Sequence, residues 1–401
     1  MSRRSPESHE PPVQPVFVSE PDKAKRSAPP EVPEDLRVPH DRLMNEYFPL
    51  KAKHDAYKAG TGERPTLEEY KRITALAQGI LDIRKGRAPL ETEPTSELHE
   101  RAKELAKELS RDLTARAKEF GQTAEYAIVA PELPPGLTEA HLVAVREALG
   151  TSGQGFAERV LPTPADLNDL DEAYTDAMYP KEKSQADKDR GLVSYRPSWW
   201  KDKSDKNITK TDETWGETYT RSMRQELENL GGSLVLLDTA VKPKYQSGGQ
   251  QYGTIKGDQP EADPLLPLFR EAFGENANRF NHSWDDLETK LIPLVEKKIK
   301  AELNARGLKD VPFTVMLVPT VLDNQEMTLN RPESSTTDTY EWTSTVLKDK
   351  DNNDTGRRLH AGYSEGGGAG FLDIYHRSHS LGRLGARLAV VFKKLDTGTA
   401  S

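Results

Sequence analysis

The last quarter of the chain is the most informative part of the sequence. A strand-like run at 339–345 is followed by a glycine-rich stretch at 362–370, a polar and aromatic segment at 373–379, and a closing apolar run at 385–392. Glycines permit the positive φ angles of compact loops, and the flanking runs are typical of strands. This order suits a surface that recognises another molecule better than a pocket that performs chemistry.

The composition excludes several classes of protein. The 401 residues include no cysteine, so disulfides, thiolate nucleophiles, iron–sulfur clusters and Cys-based zinc sites are excluded, and packing alone must stabilise the fold. The 56 Lys and Arg and 65 Asp and Glu residues are interleaved and give a net charge of -9, so we expect no nucleic-acid partner. No apolar leader follows the two N-terminal arginines, and no run of about 18 apolar residues occurs. We therefore expect a cytoplasmic protein with no membrane partner.

Three regions follow from composition and periodicity. Residues 1–39 are rich in Pro, Glu, Ser and Lys and predict a disordered tail. Residues 40–155 predict a helical module, because apolar residues recur at helical spacing at 67–81, 96–120 and 138–149. Its apolar seam would either pack on the rest of the chain or form an oligomerising stalk, so the oligomeric state stays open. Residues 156–401 mix short helices with β-rich runs.

The third region therefore predicts an α+β fold. A helix at 215–230 ends at a Gly-Gly pair and is followed by a strand at 233–237. Ser283 and Asp286 resemble a capping box at the start of a long helix that ends at Gly307. Alternating apolar residues at 311–317 predict a further strand.

No motif of a common catalytic class is present. The chain lacks a Walker sequence, a dinucleotide fingerprint, a zinc-protease helix motif, a nucleophile elbow and a helix-loop-helix calcium loop. The run at 366–370 opens no recognisable helix and has no lysine after it, unlike a phosphate-binding loop. We expect a protein that is not an enzyme and needs no cofactor.

One trio of residues nevertheless has the spacing of metal ligands. Asp373, His376 and His379 are three residues apart, which on a helix would place them on one side. A carboxylate and two imidazoles hold zinc or iron in many proteins. A metal-dependent enzyme of unknown reaction is therefore the alternative function, and exposed contact residues on an irregular loop are the competing interpretation.

A buried ion pair is predicted near the C-terminus. Glu341 precedes Trp342 within a strand-like run, and a carboxylate that enters the core needs a partner. Arg387 on the closing strand can bind it with two hydrogen bonds. Both residues would then belong to the scaffold. A general acid or base role for Glu341 would require a second titratable group in the same cleft.

Three motifs carry a family resemblance: Tyr340-Glu-Trp-Thr-Ser344, Arg358-Leu-His-Ala-Gly-Tyr-Ser364 and Gly385-Ala-Arg-Leu-Ala389. They resemble the Glu-Trp, Gly-Gly-Ser and Gly-Phe-Arg landmarks of the C-type lectin fold in the formylglycine-generating enzyme group. Within that group the chain most resembles the variable proteins of bacterial diversity-generating retroelements. Ala361 and Ala386 depart from the landmarks, and the missing cysteines argue against sulfatase-type activation.

The resemblance implies a C-type-lectin-like domain at 156–401 with a display segment at about 337–385. It implies a non-enzymatic protein that binds an unknown protein, peptide or glycan through residues diversified by adenine-directed mutagenesis. Tyr, Ser and His side chains suit such a role because they combine contact area with adaptable hydrogen bonds. The implied structural residues are Glu341, Trp342, Gly362, Gly385 and Arg387. The implied contact residues are Tyr363, Ser364, Glu365, Asp373, Tyr375, His376, Ser378, His379, Ser380 and Arg383.

Overall fold

Contacts divide the chain into two compact units, Met1–Pro89 and Leu90–Ser401. The predicted tail at 1–39 lies outside the described residues except for its last three positions, and so does most of the predicted helix at 67–81. The computed structural model describes residues 37–59, 61, 65–66, 73, 76–77, 80, 96–150, 155–180, 185, 189, 198–240, 243, 252, 255–256, 259–260, 263–330, 339–362, 373–382 and 384–393.

In the first unit, helix α1 spans Arg37–Lys58. Lys51 and Asp55 form an ion pair one turn apart on this helix. Ile80, which belongs to the apolar stripe predicted at 67–81, is helical and buried, and so is Leu76, which the prediction did not include.

The second unit combines helices with two four-stranded sheets. Its α-helices are α2 (Ser96–Glu119), α3 (Glu139–Ala148), α4 (Glu172–Met178), α5 (Lys206–Thr209), α6 (Trp215–Leu230), α7 (Leu266–Phe273), α8 (Trp284–Asp286), α9 (Ile292–Ala305) and α10 (Thr320–Gln325). Short 3-10 and π-helical turns span Ala165–Leu170, Ser198–Lys201, Leu287–Leu291 and Glu326–Asn330. The strands are β1 (Phe156–Leu161), β2 (Ser233–Asp238), β3 (Ile255–Lys256), β4 (Gln259–Pro260), β5 (Thr314–Leu317), β6 (Tyr340–Lys348), β7 (Asp354–Ala361), β8 (Asp373–His376), β9 (Leu384–Ala386) and β10 (Leu388–Phe392).

The two sheets confirm the α+β class. The first has the order β1-β2-β10-β5 with antiparallel neighbours, and the second has the order β8-β7-β6-β9, in which β9 runs parallel to β6. Strands β9 and β10 are separated by Arg387 alone, so this arginine lies where the chain passes from one sheet to the other. Strands β3 and β4 form a separate two-residue ladder.

The first sheet is covered on both faces. Every residue of β2 is buried. Because side chains alternate between the two faces of a strand, Leu234 and Leu236 pack into one apolar core, and Val235 and Leu237 pack into another. Helix α2 contributes to both cores, for example with Leu98 to the first and Leu113 to the second. Helices α2 and α3 therefore share a unit with the sheets, and the predicted boundary near residue 155 does not separate a helical module. The apolar stripe of α2 is covered by the rest of this unit.

Local signals in the sequence place several helix ends correctly. Helix α6 has the predicted bounds, and Thr214 and Glu217 form a reciprocal capping box at its start. The Ser283 hydroxyl accepts a hydrogen bond from the Asp286 N–H at 3.1 Å, as predicted. The long helix that follows is interrupted by a π-helical turn before α9 begins. Among the helices described, none is both long and apolar enough to span a bilayer.

Candidate binding surface

The predicted contact residues that the structure describes lie on the edge strand β8 and the turn after it. In this turn the His379 N–H donates to the His376 carbonyl at 2.9 Å. His376, Ser378, His379 and Ser380 are exposed, and Tyr375 is half-buried. We call these five residues the display surface. Asp373 begins β8 opposite His360, whereas Tyr363, Ser364, Glu365 and Arg383 lie outside the described residues.

The inner side of the display surface rests on a buried aromatic group. Tyr375 stacks on the fully buried ring of His360, with centroids 4.6 Å apart and an interplanar angle of 11°. Tyr340 and Trp342 meet the same imidazole edge-on, with centroids at 4.8 and 6.0 Å. Aromatic contacts of this kind are worth roughly 0.5–1.5 kcal/mol beyond area burial. The buried His360 ring therefore fixes the orientation of the Tyr375 ring from the core side.

The rings of His376 and His379 continue the aromatic surface from Tyr375 toward solvent. The centroid of the His379 ring lies 6.0 Å from those of Tyr375 and His376. The Ser378 N–H donates to Nδ1 of His376 at 3.3 Å, and the Ser378 hydroxyl lies 2.8 Å from the same nitrogen. An imidazole nitrogen that accepts an N–H bond carries no proton, so Nε2 of the neutral His376 ring is the donor. The Nε2 end of the ring lies beside β7, where a Cβ on Gly356 would be 3.4 Å away.

Arg377 lies among the contact residues but anchors the turn to the scaffold. Its guanidinium pairs with Asp285 and lies 5.4 Å from the centre of the Trp284 ring. Its main chain is held on both sides, because its N–H donates to the Gly356 carbonyl at 3.0 Å and its carbonyl accepts from the Asp285 N–H at 3.2 Å. Sequence reasoning missed this role, since it depends on residues that are distant in the chain.

A second arginine lies over the same tryptophan. The Arg358 guanidinium is 4.2 Å from the Trp284 ring centre and binds both carboxylate oxygens of Asp354 at 2.8 and 2.9 Å. The Trp284 N–H donates to the Thr343 carbonyl at 3.1 Å. This group ties β7, α8 and β6 together directly behind the display turn.

The predicted pair between Glu341 and Arg387 is present. Nε of Arg387 donates to both carboxylate oxygens, at 3.0 and 2.8 Å, and both side chains are at most 2% exposed. Arg387 also pairs with Asp323 on α10, a partner that the sequence did not reveal. Burial alone would lower the pKa of Arg387, but the two carboxylates raise it above its ordinary value. The arginine is therefore charged and bonded on two sides.

A second buried arginine reinforces the scaffold. Arg279 binds both carboxylate oxygens of Asp263, at 2.8 and 2.6 Å, and also pairs with Asp238 at the end of β2. Its guanidinium lies 4.6 Å from the ring centre of Tyr252. Gly385 leaves room for this tyrosine, because a Cβ there would lie 2.1 Å from its hydroxyl oxygen.

The two remaining predicted structural residues have clear local roles. Trp342 is 1% exposed, and its indole N–H donates to the His282 carbonyl at 3.0 Å. Gly362 has a φ of 120°, a conformation that favours glycine, directly after β7.

The helix on which the metal alternative depends does not form. Residues 373–376 are a strand and 377–379 a turn, and because a strand repeats every two residues, positions three apart do not return to one face. In the described part of the chain, no group of three His, Cys, Asp or Glu side chains is arranged to hold a metal ion.

An open cleft of about 810 Å³ lies beside α4, α6 and the turn at Ser198–Lys201. Its lining mixes acids and bases that bond to neighbouring groups: Arg221 pairs with Glu213, Arg224 donates to the Asp169 carbonyl, and Glu217 caps α6. These charged lining groups are therefore engaged by the surrounding protein.

Comparison with known proteins gives no relative from which a role could be transferred: no family model, no curated protein and no solved structure matches the chain. The function must therefore be inferred from the geometry of the display surface and its support.

Proposed function

We propose that the protein is a non-enzymatic binding protein whose second unit has a C-type-lectin-like architecture and presents an exchangeable contact surface. The resemblance to variable proteins of diversity-generating retroelements motivates this proposal. In this account the partner is a protein, peptide or glycan bound by the display surface, and the remainder of the unit is a constant scaffold.

The observation that carries the proposal is the sharp change in burial between neighbouring residues. His376, Ser378, His379 and Ser380 are exposed, whereas the next strand inward contains Leu359 and His360, which are fully buried. Surface side chains away from structural features usually change stability by less than about 0.5 kcal/mol when replaced. These four exposed residues can therefore vary without cost to the fold, which is the property that a diversified binding surface needs.

A binding surface of this kind also needs a rigid support on its core side. Arg377 fixes the turn through Asp285 and Trp284, and Tyr375 is held by His360. A rigid support reduces the conformational entropy that is lost when a partner binds. The exposed side chains of the display surface can thus vary while the backbone of the turn stays in place.

A display library tests the proposal. The four exposed display-surface positions would be randomised together on the full chain, and a matched control library would randomise the buried positions Leu359, His360, Trp342 and Leu384. We expect most members of the first library to fold and to yield binders against unrelated targets, and most members of the control library to unfold. A first library that unfolds as often as the control, or that yields no binder, would refute the proposal.

The genomic neighbourhood tests the diversification itself. A nearby repeat of the codons for the C-terminal stretch, differing where the repeat carries adenine and accompanied by a reverse transcriptase gene, is the expected arrangement. Without such a repeat, the protein would be a binding protein with a fixed surface.

A further inference from the structure

The register between β7 and β8 brings one scaffold cation beside the display surface. The Arg377 N–H bonds to the Gly356 carbonyl, so these residues form a hydrogen-bonded pair, and the adjacent pair, Arg357 and His376, is non-hydrogen-bonded. Side chains are closest in such pairs, with Cβ atoms about 4.5–5.5 Å apart. Arg357 and His376 therefore lie side by side on one face of the sheet.

Arg357 differs from the arginines around it in its partners. Arg358 and Arg377 bind carboxylates behind the turn, and Arg387 does so in the core. Arg357 is a half-buried residue, and its guanidinium has no ion pair or hydrogen bond within the described ranges of the chain. This is notable in a protein whose acids outnumber its bases by 65 to 56. Among the described residues, therefore, none occupies the donors of this guanidinium.

The neighbouring imidazole adds a second donor. Because the Ser378 N–H occupies Nδ1 of His376, the neutral ring donates from Nε2. A guanidinium fork beside an imidazole N–H matches the two oxygens of a carboxylate, and hydrogen bonds to ionised groups are about twice as strong as neutral ones.

We propose that the display surface takes acidic protein segments, and that Arg357 is the constant group that recognises an Asp or Glu side chain of the partner. This inference rests on the proposed function. Arg357 lies on β7, within the display segment, but it is not one of the contact residues that the resemblance implies, so in this inference its charge is kept when those residues vary. The display residues then determine which acidic partner is bound.

Nuclear magnetic resonance of the full chain with isotope-labelled histidine tests this inference. The probes are a synthetic peptide in which glutamate alternates with glycine and its glutamine counterpart. The His376 ring signals, assigned with His376→Gln, are expected to shift with the glutamate peptide and to respond far less to the glutamine peptide. The shift should weaken as salt is added, because exposed charges are screened.

Three arginine variants locate the effect. Arg357→Gln should weaken binding of the glutamate peptide by about tenfold, the loss of roughly one charge-assisted contact. Arg357→Lys keeps the charge and should retain more affinity, which covers the case in which Arg357→Gln does not fold. Arg270→Gln, at an exposed arginine on α7, should change nothing.

Two results would overturn the inference: equal responses to both peptides, or equal effects of Arg357→Gln and Arg270→Gln on a folded protein. Either result leaves the proposed function standing if the display library still yields binders. A library that yields none would instead remove the proposed function.

Discussion

The ring of Tyr375 lies nearly parallel to the buried ring of His360, with centroids 4.6 Å apart. The contact joins a half-buried residue of the display surface to a residue with no exposed surface. The boundary between contact surface and scaffold therefore passes between two stacked rings. The stacking of Tyr375 on His360 holds the four-residue edge strand β8 in place against the core.

The anchoring role of Arg377 predicts a local effect on the turn. Arg377→Ala removes the pair with Asp285 and the contact with Trp284 but leaves the main-chain hydrogen bonds. We expect the free energy of unfolding to fall by about 1 kcal/mol or less, because the pair is partly exposed. Amide exchange at 376–380 should become faster than in wild type. Arg111→Ala, at an exposed arginine of α2, is the control and should leave this exchange unchanged.

The buried ion pair predicts a much larger cost. Glu341→Gln leaves the buried Arg387 with Asp323 as its remaining carboxylate partner among those described. Removal of one member of a buried pair typically costs about 3–5 kcal/mol. Chemical denaturation should show a loss of this size. The exposed pair of Glu104 and Lys107 supplies the control, since Glu104→Gln should cost under about 1 kcal/mol. Equal losses in the two variants would contradict the scaffold role.

Glu226 predicts a pH dependence of stability. Burial raises its pKa from 4.5 to about 7, although the Ser344 and Thr345 hydroxyls on β6 donate to its carboxylate and oppose the rise. Between these two values the folded protein holds a proton that the unfolded chain has released. Stability should therefore fall as pH rises from 4.5 to 7, by about 1–3 kcal/mol, and then level off.

Glu226→Gln isolates this contribution. Glutamine keeps a hydrogen-bonding group near both hydroxyls and does not titrate. The difference in unfolding free energy between the variant and wild type should grow in favour of the variant across this pH window. Parallel stability curves for the two proteins would show that Glu226 does not titrate there.

Local signals explain which parts of the fold the sequence predicts. Helix α6 has the expected bounds because Thr214 and Glu217 cap it within four residues and a Gly-Gly pair ends it. The pair of Glu341 and Arg387 was predictable because a carboxylate between strand residues needs a partner. Both inferences use short sequence windows or a simple requirement of charge.

Long-range contacts explain what the sequence does not predict. The helical periodicity of α2 identifies a buried stripe but not its neighbours, so its packing with the sheets was missed. The three-residue spacing in the alternative metal site fits a helix, but pairing with β7 makes residues 373–376 a strand. Arg377 is an anchor only because Trp284 and Asp285 come to lie behind the turn.

Thermal unfolding of one combined variant tests the central claim most directly. In this variant His376, Ser378, His379 and Ser380 are all replaced by alanine, and Trp342→Ala serves as the buried reference. The account predicts that the four exposed changes lower Tm by less than about 4 °C, while Trp342→Ala costs about 3–5 kcal/mol. A fall of more than about 5 °C in the combined variant, close to that expected of the buried reference in a unit of this size, would show that these residues belong to the scaffold and would contradict the account.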